Sequence, residues 1–107
     1  MKQPKVENKI VLVSGGTSGV GKAAAISLAK VGAEIIILGH DQKRADAAVA
    51  EIQRRSGNPL IWAELCDLTL RSAIQDLHQR LVDQNIRLDA LINAAGGVTL
   101  PQVPTTE

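Results

Sequence analysis

Eight consecutive residues, Ser14 to Gly21, read S-G-G-T-S-G-V-G. Four are glycines, which lack the Cβ that would keep a ligand away from the backbone. Three carry hydroxyls. The apolar run Ile10-Val11-Leu12-Val13 precedes them and an alanine-rich segment follows. This is the pattern of a buried strand, a glycine turn and a helix start. The first N–H groups of a helix have no intrahelical partner, and the helix dipole favours negative charge there. The stretch therefore predicts a phosphate cradle built from Ser14, Gly15, Thr17, Ser18, Gly19, Val20 and Gly21. Thr17 and Ser18 also suit helix capping, which uses the same N–H groups.

Two phosphate motifs compete for these residues. From Gly16 the chain reads G-T-S-G-V-G-K-A, one residue short of the P-loop G-x-x-x-x-G-K-[ST]. Ala23 replaces the hydroxyl that ligates Mg²⁺, which disfavours a nucleoside triphosphatase and leaves Lys22 as an exposed helix residue. The other match is S-G-x-x-x-G-x-G, through Gly15, Gly19 and Gly21. Its spacing differs from the G-x-G-x-x-G of the common dinucleotide fold. Asp67-Leu68 follows a third strand and Asn93-Ala94-Ala95-Gly96 follows a fourth. In these three motifs the chain resembles the short-chain dehydrogenase/reductase family, with Ser14 in place of the usual threonine and Ala94 in place of a second asparagine.

The resemblance implies a nicotinamide dinucleotide as coenzyme. It implies adenine contacts from Asp67 and Leu68, and coenzyme contacts from Asn93, Ala94, Ala95 and Gly96. Asp67 equally suits capping of the next helix, and the Asn93 side chain equally suits holding strand four in place. An acidic residue near the end of strand two accepts from the ribose 2′-OH of NAD. Gly39 stands there and cannot do so. NADP-preferring relatives often carry Arg at the next position, here His40, and Lys43 and Arg44 add positive charge while Asp41 opposes it. NADP is favoured over NAD. His40 is otherwise a surface turn residue.

Positioning these residues requires alternating strands and helices. Strands are expected at Ile10–Val13, Ile35–Leu38, Leu60–Leu65 and Leu88–Asn93. The first helix runs from Gly19 to Val31, with Val20, Ala24, Ser27 and Val31 as its buried stripe and Gly32 as its cap. The second starts after the N-cap Asp41, buries Ala45, Ala48, Val49 and Ile52, and ends at Gly57. The third, capped by Thr69, buries Leu70, Ile74, Leu77 and Leu81 and frays near Asn85. Such alternation predicts an α/β, Rossmann-type doubly wound parallel sheet of four strands, order 3-2-1-4, with three helices. The glycine turn and the Asn93 turn then meet where the order reverses.

The 107 residues suffice for one domain, read as a single partial NAD(P)-binding unit with residues 1–9 as lead-in and 97–107 as terminal loop. Twelve basic and eleven acidic residues are interspersed, which gives no footprint for nucleic acid. No apolar run is long enough for a signal or a membrane span. Cys66 is the single cysteine, so no intrachain disulfide forms, and a reducing, cytoplasmic setting is expected. Cys66, His40 and His78 lack metal-ligand spacing.

Hydride chemistry needs further groups. The resemblance implies a Ser-Tyr-Lys set downstream of Gly96, and the chain has no tyrosine. No other pair of residues here forms a replacement acid and base. The expectation is the coenzyme-binding portion of an oxidoreductase, inactive by itself. The alternative is a non-enzymatic nucleotide-binding or dimerising module. Strand four is expected to present an open apolar edge at residues 88–92, prone to self-association.

Overall fold

Short apolar runs and well-placed caps turn this chain into strands and helices that alternate as far as the fourth strand. A computed structural model describes residues 8–15, 17, 19–67, 70–93 and 97–99. In order they are β1 (Ile10–Ser14), α1 (Gly19–Lys30), β2 (Glu34–Gly39), α2 (Gln42–Ser56), β3 (Ile61–Leu65), α3 (Arg71–Asp83), β4 (Ala90–Asn93) and β5 (Gly97–Thr99). The sheet order is β3-β2-β1-β4-β5. The first four strands of that order are parallel, as expected.

β5 differs from the expected terminal loop. It pairs antiparallel with β4, Leu91 opposite Thr99, Ile92 opposite Val98 and Asn93 opposite Gly97. The backbone groups on the far side of β4 thus meet a strand, and β4 is not the open edge that its sequence suggests.

Strand alternation splits the core into two layers. Val11, Val13, Ile35 and Ile37 point to one face and pack with Ala25, Ile26 and Ala29 of α1 and Ala48 and Ile52 of α2. Leu12, Ile36 and Leu38 point to the other, against Leu77 and Leu81 of α3 and Cys66. The unbroken apolar character of β1 and β2 follows from cover on both faces.

The buried stripe of α1 is not the expected one. Gly21, Ala25, Ile26 and Ala29 are buried, whereas Val20 is 76% and Val31 51% exposed. This helix is apolar on nearly every side, so periodicity does not select a face. The small residues do, because Gly21, Ala25 and Ala29 let the helix backbone lie close to the sheet.

α2 follows its sequence signals. The Asp41 carboxylate accepts the Arg44 backbone N–H at 3.2 Å, and Gly57, at φ 76°, closes the last turn by donating to Gln53 O. α3 departs from them. Its N-cap is Leu70, with no side-chain bond, and the expected cap Thr69 lies outside the described residues. Leu77 and Leu81 are buried, but Leu70 and Ile74 remain 52% and 43% exposed. It ends at Asp83 in a closed turn: Asn85, at φ 59°, donates to Val82 O, and Ile86 N–H reaches Leu81 O, both at 2.9 Å.

Two side chains fasten the ends of the sheet away from the glycine turn. Asn58 donates from one amide group to Ala29 O at 2.9 Å and Ala33 O at 2.8 Å, and its Oδ1 accepts from Leu60 N–H at 2.8 Å. It joins α1, β2 and β3. Asp89 accepts the Ile10 N–H at 2.9 Å and ties the start of β1 to β4.

Candidate functional site

Strand register assembles the site at the C-terminal ends of the parallel strands. Ser14 lies beside Leu38 on one side and Asn93 on the other, and Gly39 lies beside Leu65. The first and third motifs therefore end on adjacent strands. Asp67 follows β3 on the far side of β2, and the Cys66 N–H donates to Gly39 O at 2.9 Å, which holds that turn against β2.

These ends border a cleft of about 350 Å³ lined by Ser14, Gly15, Thr17, Leu38, Gly39, His40, Asp41, Arg44, Cys66 and Asp67. A second hollow continues from it, sharing His40, Cys66 and Asp67 and reaching Asp76 and Arg80 on α3. Ser14, Gly15, Thr17 and Asp67, all expected site residues, thus share one cavity with His40. Gly19 and Val20 stand exposed at the start of α1. Gly21 is buried and serves the packing of α1 on the sheet. Asn93 is placed by register at Ser14. Ser18, Leu68, Ala94, Ala95 and Gly96 lie outside the described residues.

Two glycines of the turn take the left-handed conformation. Gly15 and Gly19 adopt φ 78° and 60°, values that side chains resist. A Cβ on Gly19 would meet nothing within 4 Å, so the space beside it is open among the described residues. The residues present fit a dinucleotide there: hydroxyls at Ser14 and Thr17, a helix start at Gly19, and a cleft leading toward a cation.

That cation is Arg44, third in α2 after its cap. No ion pair ties its guanidinium among the described residues. Lys43, one position earlier, does not line the cleft. The signal was in the sequence: once Asp41 caps α2, the residue three positions on sits over the cap. Gly39 leaves little room for an acid. A Cβ there would approach Thr17 Cγ2 to 3.1 Å.

Lys22 is not a phosphate lysine, nor is it the exposed residue expected. Its Nζ lies 2.8 Å from Glu51 Oε1 and joins α1 to α2, with only 26% of its side chain exposed. Hydrogen bonds from Lys22 and then Arg55 hold the Glu51 carboxyl below its ordinary 4.5. With Ala23 lacking a hydroxyl, both side chains that define a P-loop are accounted for otherwise. Burial pushes the Cys66 thiol above its ordinary 9.0, so it lines the cleft as a neutral, apolar group.

The sequence pattern of the family described as short chain dehydrogenase matches residues 9–107. The chain belongs to the short chain dehydrogenase family. Human polyprenol dehydrogenase is 32% identical over 104 residues, which make up 97% of this chain and 32% of that protein. The Bacillus subtilis short-chain dehydrogenase/reductase homolog YusS is 38% identical over 91 residues, 84% of this chain and 82% of YusS. The Pseudomonas aeruginosa RhlG/NADP active-site complex superposes with a TM-score of 0.72 at 29% identity, over 83% of this chain and 35% of that one. The chain spans about a third of the length of curated relatives such as polyprenol dehydrogenase, and most of YusS. The order β3-β2-β1-β4 with three helices is the arrangement these family structures share. Among the described residues no helix is long and apolar enough to cross a membrane.

Proposed function

We propose that these 107 residues are the coenzyme-binding portion of a short-chain dehydrogenase/reductase-type oxidoreductase, with NADP as the preferred coenzyme. The observation that carries this reading is the single cleft joining Ser14, Gly15 and Thr17 to His40 and Arg44. On this reading the pyrophosphate lies over the start of α1, against the Ser14–Gly21 turn. Asp67 and Leu68 flank the adenine. Asn93, Ala94, Ala95 and Gly96 border the nicotinamide side. Arg44 and His40 face the 2′-phosphate, and Gly39 supplies no carboxylate to the ribose.

The bound nicotinamide supplies hydride transfer. The chain's own residues bind and orient it, and no tyrosine is present among them to move the substrate proton. Binding without turnover is therefore expected of this chain. A reducing, cytoplasmic setting fits the free Cys66 thiol.

Titration of the chain with NADPH, NADH and ATP–Mg²⁺ tests the proposal, followed by nicotinamide emission and by quenching of Trp62. NADPH binding tighter than NADH, with no magnesium-dependent ATP binding, is the expected outcome. Preferential ATP–Mg²⁺ binding would overturn it.

A further inference from the structure

β3 is the outermost strand beside β2, and among the described residues no strand pairs with its far edge. Register says which backbone groups lie on that edge. The Ile35 N–H donates to Leu60 O and the Cys66 N–H to Gly39 O, with Ile35 opposite Ile61 and Gly39 opposite Leu65. In a parallel ladder alternate residues turn both backbone groups toward the neighbouring strand. Trp62 and Glu64 therefore face β2, and Ile61, Ala63 and Leu65 turn their groups outward. Such a row is a template for a further strand.

Side chains close both ends of this row. At its start the Gln53 amide, from α2, donates to Pro59 O at 3.0 Å and reaches Ile61 O at 3.5 Å. The Ile61 N–H donates back to Pro59 O at 2.9 Å. At its end the Arg80 guanidinium, from α3, donates to Leu65 O at 3.3 Å, and its Nε donates to Glu64 Oε1 at 3.2 Å, which holds it in place. The two side chains come from helices on opposite faces of the sheet. Between them Ala63 keeps both backbone groups open, beside a hollow of about 340 Å³ between β3 and α2.

Ala63 is the midpoint of β3. Two copies laid antiparallel about it would place Ala63 opposite Ala63 and Ile61 opposite Leu65, with each Ala63 N–H donating to the other's carbonyl. The outer bonds of that ladder would need Ile61 O and Leu65 O, the acceptors that Gln53 and Arg80 already occupy. We infer that Gln53 and Arg80 are edge guards, which keep a second copy of this chain from adding to the sheet at β3. Removing them opens a two-fold β3–β3 interface centred on Ala63. This inference does not depend on the coenzyme reading.

Sedimentation velocity over a wide concentration range tests it, on the wild-type chain and its Gln53→Ala, Arg80→Ala double variant. Amide exchange at Ala63 is read by NMR on the same samples. In the wild-type chain the Ala63 amide should exchange much faster than those of Trp62 and Glu64 at every concentration. In the double variant the dimer dissociation constant should fall about tenfold or more, the scale of two added backbone hydrogen bonds, and Ala63 should gain protection as dimer forms. Association through the exposed Leu70 and Ile74 of α3 would leave Ala63 exchange unmoved. Ala63→Pro added to the double variant should restore wild-type association, because that N–H faces outward and its loss breaks no bond to β2. A protected Ala63 amide in the wild-type monomer overturns the inference. So does a double variant that associates no more tightly than wild type, that associates without protecting Ala63, or whose association survives Ala63→Pro. Each single variant retains one guard and should fall between wild type and double variant, so the singles decide the matter by the same readouts if the double variant does not fold. If none of the three variants melts cooperatively, Gln53 and Arg80 hold the fold itself and the inference is overturned.

Discussion

Arg44 and Asp41 show how a single residue's role depends on its neighbour's geometry. Asp41 caps α2 through the Arg44 N–H, and in doing so it sets the turn that brings the Arg44 side chain over the cleft. Removing the guanidinium should cost NADPH about tenfold in affinity, the scale of one charge-assisted hydrogen bond, and leave NADH within about twofold. Competitive titration of the Arg44→Ala chain reads both numbers at once. An equal loss for both coenzymes would mean that Arg44 shapes the site rather than reading the 2′-phosphate. At this scale the sequence was partly legible. The types and spacing of Ser14 to Gly21 marked the turn from β1 into α1, and the failed P-loop was visible at Ala23. The partner of Lys22 was not visible, because Glu51 lies 29 residues away and only the packing of α1 on α2 brings them together.

Elements were legible where local signals act alone. Asp41 and Gly57 bound α2 as their residue types require, and substituting Asp41 by Ala should lower stability by about 1 kcal/mol, read as a shifted urea midpoint. Asn58 is a different kind of residue, since it serves three elements. Asn58→Ala takes one of two donors from Ala29 O, the side-chain donor from Ala33 O and the acceptor from Leu60 N–H, and should cost about 1–3 kcal/mol. Asn58→Asp should be worse, because a carboxylate cannot donate to Ala29 O and Ala33 O. Equal midpoints for the two variants would contradict that explanation. Where an element's face is set by what covers it, the sequence misled. The apolar residues of α1 surround the helix, so its stripe depended on the sheet. In α3 the spacing of Leu70 and Ile74 marks an apolar stripe but not how much of it the sheet reaches. Nothing in Gly97–Thr99 signals a strand, because so short a segment carries no period.

For the whole molecule, parallel pairing followed from the alternation of strands and helices, the order β3-β2-β1-β4 from a reversal after the third strand, and the two-layer core from both. Two consequences belong to this scale. The exposed Leu70 and Ile74, with Val82 on the same helix, form apolar surface on α3. Size-exclusion elution should move to larger apparent size as concentration rises, and a Leu70→Ser, Ile74→Ser double variant should reduce that shift. A concentration-independent monomer in the wild-type chain would contradict it. The second consequence is pH dependence. Folding lowers the Glu51 carboxyl below 4.5, so the folded state binds that proton less readily than the unfolded chain. The stabilisation is complete above that value and is lost as pH falls below it. Thermal melts from pH 7 to 3 should decline on the acid side, and Glu51→Gln should lower the melting temperature at pH 7 while flattening part of that decline.

The proposed coenzyme site lies between the Ser14–Gly21 turn and Arg44. Direct titration of NADPH into the wild-type chain, with Gly19→Val alongside, tests it most simply. The added isopropyl group would enter the open space beside Gly19 and force a side chain onto its left-handed backbone, both at the turn proposed to hold the pyrophosphate. Saturable NADPH binding with one site per chain is expected, abolished in Gly19→Val while the variant's far-UV spectrum stays that of a folded α/β domain. Undiminished binding in that folded variant would contradict it, because the coenzyme would then lie elsewhere.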